Sequence, residues 1–345
     1  MQNVTPITAK HAYEALKDLG YSKQYVSKLL PDWWDNSLLK TSAGSLQFAL
    51  ILNQRLGIDV LFDQQGELSV TIDLSRTKFK HRRDTQDSEL ARAASLGRAI
   101  ARLALHGLPV HEDAPTTDPM TLRKQLLTHS TTGIVNFDSL VNACWRCGIP
   151  VLYLDSLPPQ SKRPTGMAIN VNGRFAIILG HRQAQKSRQL FVLAHELGHI
   201  TLGHINKDDI LIDEDIAEVT ESLEGRRIAE QDIEEKEADN FALQLIRGYV
   251  SLEFRRLFST MASGAVLAVE AMRLGTQHQI DPGHLLLSWA KETGQWASAS
   301  KAIAFLINSD GAMKTMHSFF LQYANLECLS DENRSFLMSV QGFQA

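Results

Sequence analysis

A chain of 345 residues, 44% hydrophobic and 21% charged, is long enough for two or three domains and has an ordinary globular composition. Its formal charge of −4 excludes indiscriminate binding to nucleic acid, though not a local basic patch, and no apolar run reaches the roughly 18 residues that a membrane span needs. The opening "MQNVTPITAKHAYEALKDLG" lacks the apolar centre of a secretory signal and three cysteines are too few for a disulfide framework, so a cytoplasmic location with no membrane partner is expected.

In chain order, residues 8–56 predict three short helices. The first places Tyr13, Leu16 and Leu19 on one face and stops at Gly20. Ser22 can cap the second, "SKQYVSKLL", which Pro31 ends, and "GSLQFALILNQRLGID" gives the third, closed by Gly57. Two short helices joined at "LGYS" have the outline of a helix-turn-helix over residues 1–75. Ser22, Lys23, Gln24 and Lys28, with Tyr25 beside them, would form its exposed recognition face toward DNA. A small helical bundle that binds protein, or only packs, fits the same pattern. Trp33 and Trp34 read as core or interface.

Residues 76–119 read as a link. "ELSVTIDL" alternates like a half-buried strand and leads into "SRTKFKHRRD", with Arg76, Lys78, Lys80, Arg82 and Arg83 close together. Residues 1–111 hold 14 Lys/Arg against 11 Asp/Glu, which leaves the remainder at −7 and tilts the first part of the chain toward an anionic partner. A solvated strand end explains the same charges. An alanine-rich helix over 88–106 follows, then a connection at 107–119 rich in Pro, Thr and Asp.

From about 120 to 255 the pattern changes to helix, strand, hairpin, helix. "FDSLVNACWRCG" is a helix, and its Cys144 and Cys147 read as packing thiols because no second pair stands at metal spacing. "IPVLYL" is a strand, and "MAINV" and "RFAIIL" flank Asn172-Gly173, the strongest short hairpin signal. Residues 208–239 are strongly acidic, with a surface excursion expected up to about 227. Residues 256–345 look helical and carry no recognised motif.

Between the hairpin and the acidic stretch lies "RQLFVLAHELGHITLGH". Residues four apart share a helix face, so His195 and His199 can turn toward one metal ion. Glu196 falls beside that position, where a carboxylate can take a proton from water. A catalytic zinc site needs a third protein ligand from another element. The helix "EEKEADNFALQLI" offers Glu235, with Asp239 one turn on to hold the far nitrogen of a ligand histidine. Glu234, Glu237 and His204 are competing donors. Gly198 inside this helix costs roughly 1 kcal/mol against alanine, which suggests close packing there. "RFAIIL", entering the histidine helix through a loop, is expected to be an edge strand that a peptide could extend.

"RQLFVLAHELGHITLGH" and "EKEADNFALQLI", with the preceding Asn-Gly hairpin, resemble the ImmA/IrrE family of bacterial and phage metallopeptidases over roughly residues 120–250. The resemblance implies an α+β fold, mainly helical, around a minimal thermolysin-like (gluzincin) core with a small sheet. It implies Zn2+ on His195, His199 and Glu235, Glu196 as general base, and a helix-turn-helix repressor as protein substrate. Cleavage would switch on stress, mobile-element or defence genes. The alternative is a non-catalytic DNA- or protein-binding regulator with a structural or sensory zinc site.

Overall fold

The computed structural model describes residues 9–62, 68–80, 86–109, 115–180, 185–214, 230–250, 252–306 and 311–343. It is α+β, a mainly helical chain with two small sheets. Among these residues no helix is long and apolar enough to cross a membrane. The excursion expected up to residue 227 lies mostly outside the described residues, as do Arg82 and Arg83.

The N-terminal helices form where the apolar spacing puts them. α1 (Ala9–Asp18) buries Ala12, Tyr13 and Leu16, and Gly20 turns the chain at φ +88°. α2 (Lys23–Leu29) starts at Ser22, whose hydroxyl accepts from the Tyr25 N–H at 3.2 Å. α3 (Ser42–Leu56) ends at Gly57, where an added Cβ would meet the Ser95 carbonyl at 2.4 Å. Trp34 stacks on Phe48, whereas Trp33 is 51% exposed. β1 (Asp59–Phe62) and β2 (Leu68–Thr71) then make an antiparallel ribbon, of which the sequence reading found only the second strand.

Next come β3 (Thr77–Lys80) and α4 (Asp87–His106), followed by α5 (Pro119–His129), α6 (Phe137–Arg146) and β4 (Val151–Tyr153). The hairpin β5 (Gly166–Val171) and β6 (Arg174–Leu179) turns at Asn172 and Gly173, both at positive φ, as a two-residue type I′ turn requires. α7 (Lys186–Thr201), β7 (Ile210–Asp213) and α8 (Glu230–Arg247) complete the unit. The five strands run in the order β3-β7-β5-β6-β4. β5 shows why they read as apolar runs. Met167 and Ile169 meet Gly97 of α4, while Gly166 meets Glu196 of α7, so helices cover both faces.

Two expectations are corrected by this topology. β6 lies inside the sheet between β5 and β4, so it is not an edge strand. The edge near α8 is β3, which the sequence assigned to a link; residues 76–119 supply that strand and the helix covering one face. Strand order depends on pairings across more than a hundred residues, which local periodicity does not encode.

The C-terminal helices are α9 (Phe254–Leu257), α10 (Gly264–His278), α11 (Pro282–Thr293), α12 (Trp296–Leu306), α13 (Ala312–Tyr323) and α14 (Asp331–Val340). They return to the rest of the chain. α11 packs on α7, α13 on β4 and α6, and α14 on α4, while the Asp155 and Ser156 N–H groups donate to the Val340 carbonyl. One cluster of buried apolar side chains runs from Ala12 to Val340.

Arg123 holds two helix ends beneath this junction. Its guanidinium donates to the carbonyls of Leu245 and Ile246 at the end of α8 and of His278 and Gln279 at the end of α10. Those carbonyls have no partner within their helices, and the cation sits at the negative ends of both dipoles. Arg123→Ala is therefore expected to destabilise the protein by ~3 kcal/mol or more in denaturant melts. A loss below about 0.5 kcal/mol would contradict this reading.

Candidate metal centre

α7 carries His195, Glu196 and His199, all three buried. The Nε2 atoms of His195 and His199 face each other at 3.0 Å. Each lies 3.5 Å from an oxygen of Glu235, on α8. The close approach of α7 and α8 depends on small residues: a Cβ on Gly198 would stand 3.1 Å from the Ala238 Cα. That is the packing reason the sequence suggested for the glycine.

Asp213, at the end of β7, joins the group. The ligand atoms of His195, His199, Asp213 and Glu235 all lie within 4.8 Å of one another, so this buried set could hold a metal ion. Two donors each ~2.0–2.1 Å from a tetrahedral ion would stand ~3.3 Å apart, and the observed 3.0 and 3.5 Å separations match donors converging on one cation.

The far sides of both rings are held. His195 Nδ1 lies 2.9 Å from Asp239 Oδ1. His199 Nδ1 lies 2.9 Å from His204 Nδ1, and His204 Nε2 lies 3.0 Å from Glu237 Oε2. An ionised carboxylate only accepts, so His195 donates through Nδ1 and His204 through Nε2. His204 Nδ1 is then an acceptor for the His199 Nδ1–H. Once His195 gives up its second proton, the lone pairs of both Nε2 atoms are left for a cation. His204, weighed as a ligand from the sequence, thus stands behind one.

The competing carboxylates are engaged elsewhere. Glu237 is on His204, and Glu234 takes Lys78 at 3.0 Å and Lys80 at 3.6 Å. Lys80 also reaches Glu235 Oε1 at 3.2 Å. The lysines that suggested an external anionic partner therefore face acids of α8.

Glu196 is unlike its neighbours. Both carboxyl oxygens are buried with no backbone or basic donor on them, as is Asp213 Oδ2, and the two carboxyls can bridge only through a shared proton. The carboxyl packs on the bare backbone of Gly166, where a Cβ would fall 2.0 Å from Oε1, and Gly166 is the register partner of Asp213. Burial and the Glu235 charge push Glu196 well above the usual carboxylate range; burial, Glu235 and Glu196 do the same to Asp213. Unpaired buried carboxylates are costly, and a cation among them relieves that cost. The residues present fit a metal ion on this ground.

The histidines divide in the metal-free chain. Burial alone would lower His195, but hydrogen bonds to Asp239 and Glu235 override it and lift the ring to about 10. Burial and the His195 charge push His199 down. Burial would raise Glu235, yet His195, His199 and Lys80 draw it down to about 2. At pH 7.5 His195 is thus protonated while His199 is neutral and Glu235 ionised. Binding of a cation must displace the His195 proton, so at least one proton per ion is expected to be released, with affinity rising with pH up to about 10. Calorimetry in buffers of different ionisation enthalpy counts these protons; a count of zero would contradict the assignment.

Of the other predicted residues, Ser22, Lys23, Gln24 and Lys28 lie together on the exposed side of α2 and outside the metal group. Ser22 serves as the N-cap, and Lys23 lies over the Tyr13 ring. Cys144 is buried and its thiol is pushed up by that burial, so it packs as expected. Asp213 and Gly166 escaped the sequence reading, and Lys80 reads there only as part of a basic cluster, not as a neighbour of Glu235. The available signal was "ILID", a buried apolar run ending in one acid, masked by the acidic residues around it.

No family model matches the chain, and no curated protein matches it either.

Proposed function

We propose that the protein is a zinc-dependent endopeptidase, with His195, His199 and Glu235 as ligands and Glu196 as general base. The observation that carries this reading is the Glu196 carboxyl, buried with no backbone or basic donor beside two histidines whose Nε2 atoms converge. A carboxyl held there without such donors is available to water, and its raised proton affinity suits a group that first takes a proton and then gives it up. When bound, zinc would polarise a scissile carbonyl and make an attacking water more acidic. Glu196 accepts that proton and passes it to the leaving amine. Asp239 and the His204–Glu237 pair keep both ligand rings in register through the cycle.

The resemblance of "RQLFVLAHELGH" and "EKEADNFA" to ImmA/IrrE metallopeptidases supports a regulatory protein as substrate, with a helix-turn-helix repressor as its class. β3, at the sheet edge with Lys80 beside Glu235, offers the strand on which an extended peptide could add.

Asp213 favours a second reading. With it the group has four protein donors, the number of a closed structural site, and the chain would then be a DNA- or protein-binding regulator using the exposed α2 face. Incubating the zinc-loaded protein with a proteome-derived peptide library separates the two. Cleavage at a restricted set of bonds, lost with chelator and restored by zinc, is expected. No cleavage, together with duplex binding that weakens steeply with salt, would establish the second reading.

Gly166→Ala tests the cradle of Glu196. A side chain there must displace the carboxyl, so turnover is expected to fall ~10²-fold or more while metal content is unchanged. Unchanged turnover would show that Glu196 is not held where the reaction needs it.

A further inference from the structure

β3, β7 and β5 connect two different places. At one end stands Asp213 of the candidate metal group, with Lys80 and Gly166 as its register partners. At the other, ~13 Å away for four-residue strands, the chain leaves Arg76, Asp208 and Asn170 around a second, polar cavity. Its volume is about 360 Å³, and Asp73, Arg98 and Arg102 complete its charged lining.

Arg98 and Arg102 are one turn apart on α4 and so share a face. Arg98 Nη2 is buried and has no hydrogen-bond partner. Arg102 is exposed at the mouth and makes no ion pair or hydrogen bond among the described residues. The acids nearby are already tied into turns. Asp73 accepts from the N–H and hydroxyl of Ser75 at 2.9 and 2.5 Å. Asp208 accepts from the Asn172 N–H at 2.7 Å and pairs with Arg76 at 3.6 Å. Three guanidiniums thus line the cavity against two carboxylates, one of them already paired with Arg76. Burial and the adjacent Arg102 both disfavour the charge on Arg98, although Asp73, Asp208 and Asp59 partly offset them. A guanidinium cannot shed its proton to escape, and an incoming anion would relieve the Arg98–Arg102 repulsion that the nearby carboxylates only partly offset.

We propose that this cavity binds a phosphate group, free or carried on a small metabolite, with Arg98 and Arg102 as its anchors. Arginine forks match phosphate oxygens two at a time, and a volume of about 360 Å³ lies in the ~300–1,000 Å³ range of small-ligand sites. A concave polar recess suits a small anion better than a duplex backbone. Nothing in this assignment depends on the metal centre or on the peptidase reading.

The test is calorimetry on the full chain at fixed ionic strength, with inorganic phosphate, adenosine 5′-monophosphate and adenosine as probes. Phosphate and the nucleotide are expected to bind and adenosine is not. Tighter binding of the nucleotide would identify a carried phosphate, and equal binding a free one. Arg102→Glu is expected to weaken binding at least tenfold without changing the melting temperature, because the side chain is exposed. Arg98→Lys is expected to weaken it too, keeping charge but losing the fork. The proposal is overturned if neither phosphate probe binds at millimolar concentration, if Arg102→Glu binds as well as wild type, or if only duplex DNA responds to that substitution.

Discussion

Glu196→Gln is expected to retain about one metal ion per chain while losing ~10²–10⁴-fold in peptide hydrolysis, the usual contribution of a positioned general base. The substitution is nearly isosteric, so the packing against Gly166 is kept. It replaces a carboxyl that accepts from no backbone or basic donor, its one polar neighbour being the Asp213 carboxyl, so little hydrogen bonding is lost from the fold. The amide cannot take a proton from water, and it also lacks the carboxylate's charge, so metal content must be measured alongside turnover. Metal content by elemental analysis and turnover on a cleaved peptide report the two halves separately. A variant that still turns over at the wild-type rate would remove Glu196 as the base. A variant that loses its metal would place Glu196 among the ligands instead.

Glu235→Ala is expected to weaken metal binding by more than the ~10–100-fold typical of losing an outer partner of a ligand. Its two oxygens stand 3.5 Å from the two histidine nitrogens, on the only side of the pair that α8 supplies. A 100-fold weaker site in excess metal gives up about 2.7 kcal/mol of metal-linked stability, which appears as a lower melting temperature only when metal is present. The metal-free melting point is the control. It also reports the lost ion pair with Lys80, which is partly exposed and worth little by itself. Unchanged metal affinity would transfer the third-ligand role to Asp213, the remaining carboxylate in the group.

The centre was legible where its chemistry is local. His195, Glu196 and His199 share one helix, and helical period alone puts the two imidazoles on one face. Glu235 and Asp239 were found because they too are one turn apart on a strongly patterned helix. Asn172-Gly173 announced its hairpin through the positive φ angles that such a turn demands. What escaped was non-local. Asp213 reaches the histidines only because β7 is inserted between β3 and β5, a pairing with no signature in either strand. Lys78 and Lys80 meet their acids across more than 150 residues, so on the sequence they read as surplus charge. His204 was weighed only as a competing ligand, and the structure puts it behind His199 instead. Its spacing from His199 speaks of proximity, while the Nδ1–Nδ1 contact that makes it a supporter is a matter of ring orientation.

The C-terminal helices bear on the same site. Phe191 lies between the His195 and His284 rings, with centroids 6.3 and 6.5 Å away, and His284 accepts from Arg247 at 2.8 Å. Through these contacts α11 supports the wall of the metal helix, so residues 256–345 are part of what holds the centre in shape.

The central claim is that this centre hydrolyses a specific protein, and new protein N-termini measured by mass spectrometry test it most directly. Cells producing wild-type protein are compared with cells producing Glu196→Gln, with and without DNA damage. The account predicts a new fragment of one repressor-like protein, present only with wild type. Indistinguishable profiles under both conditions would contradict it.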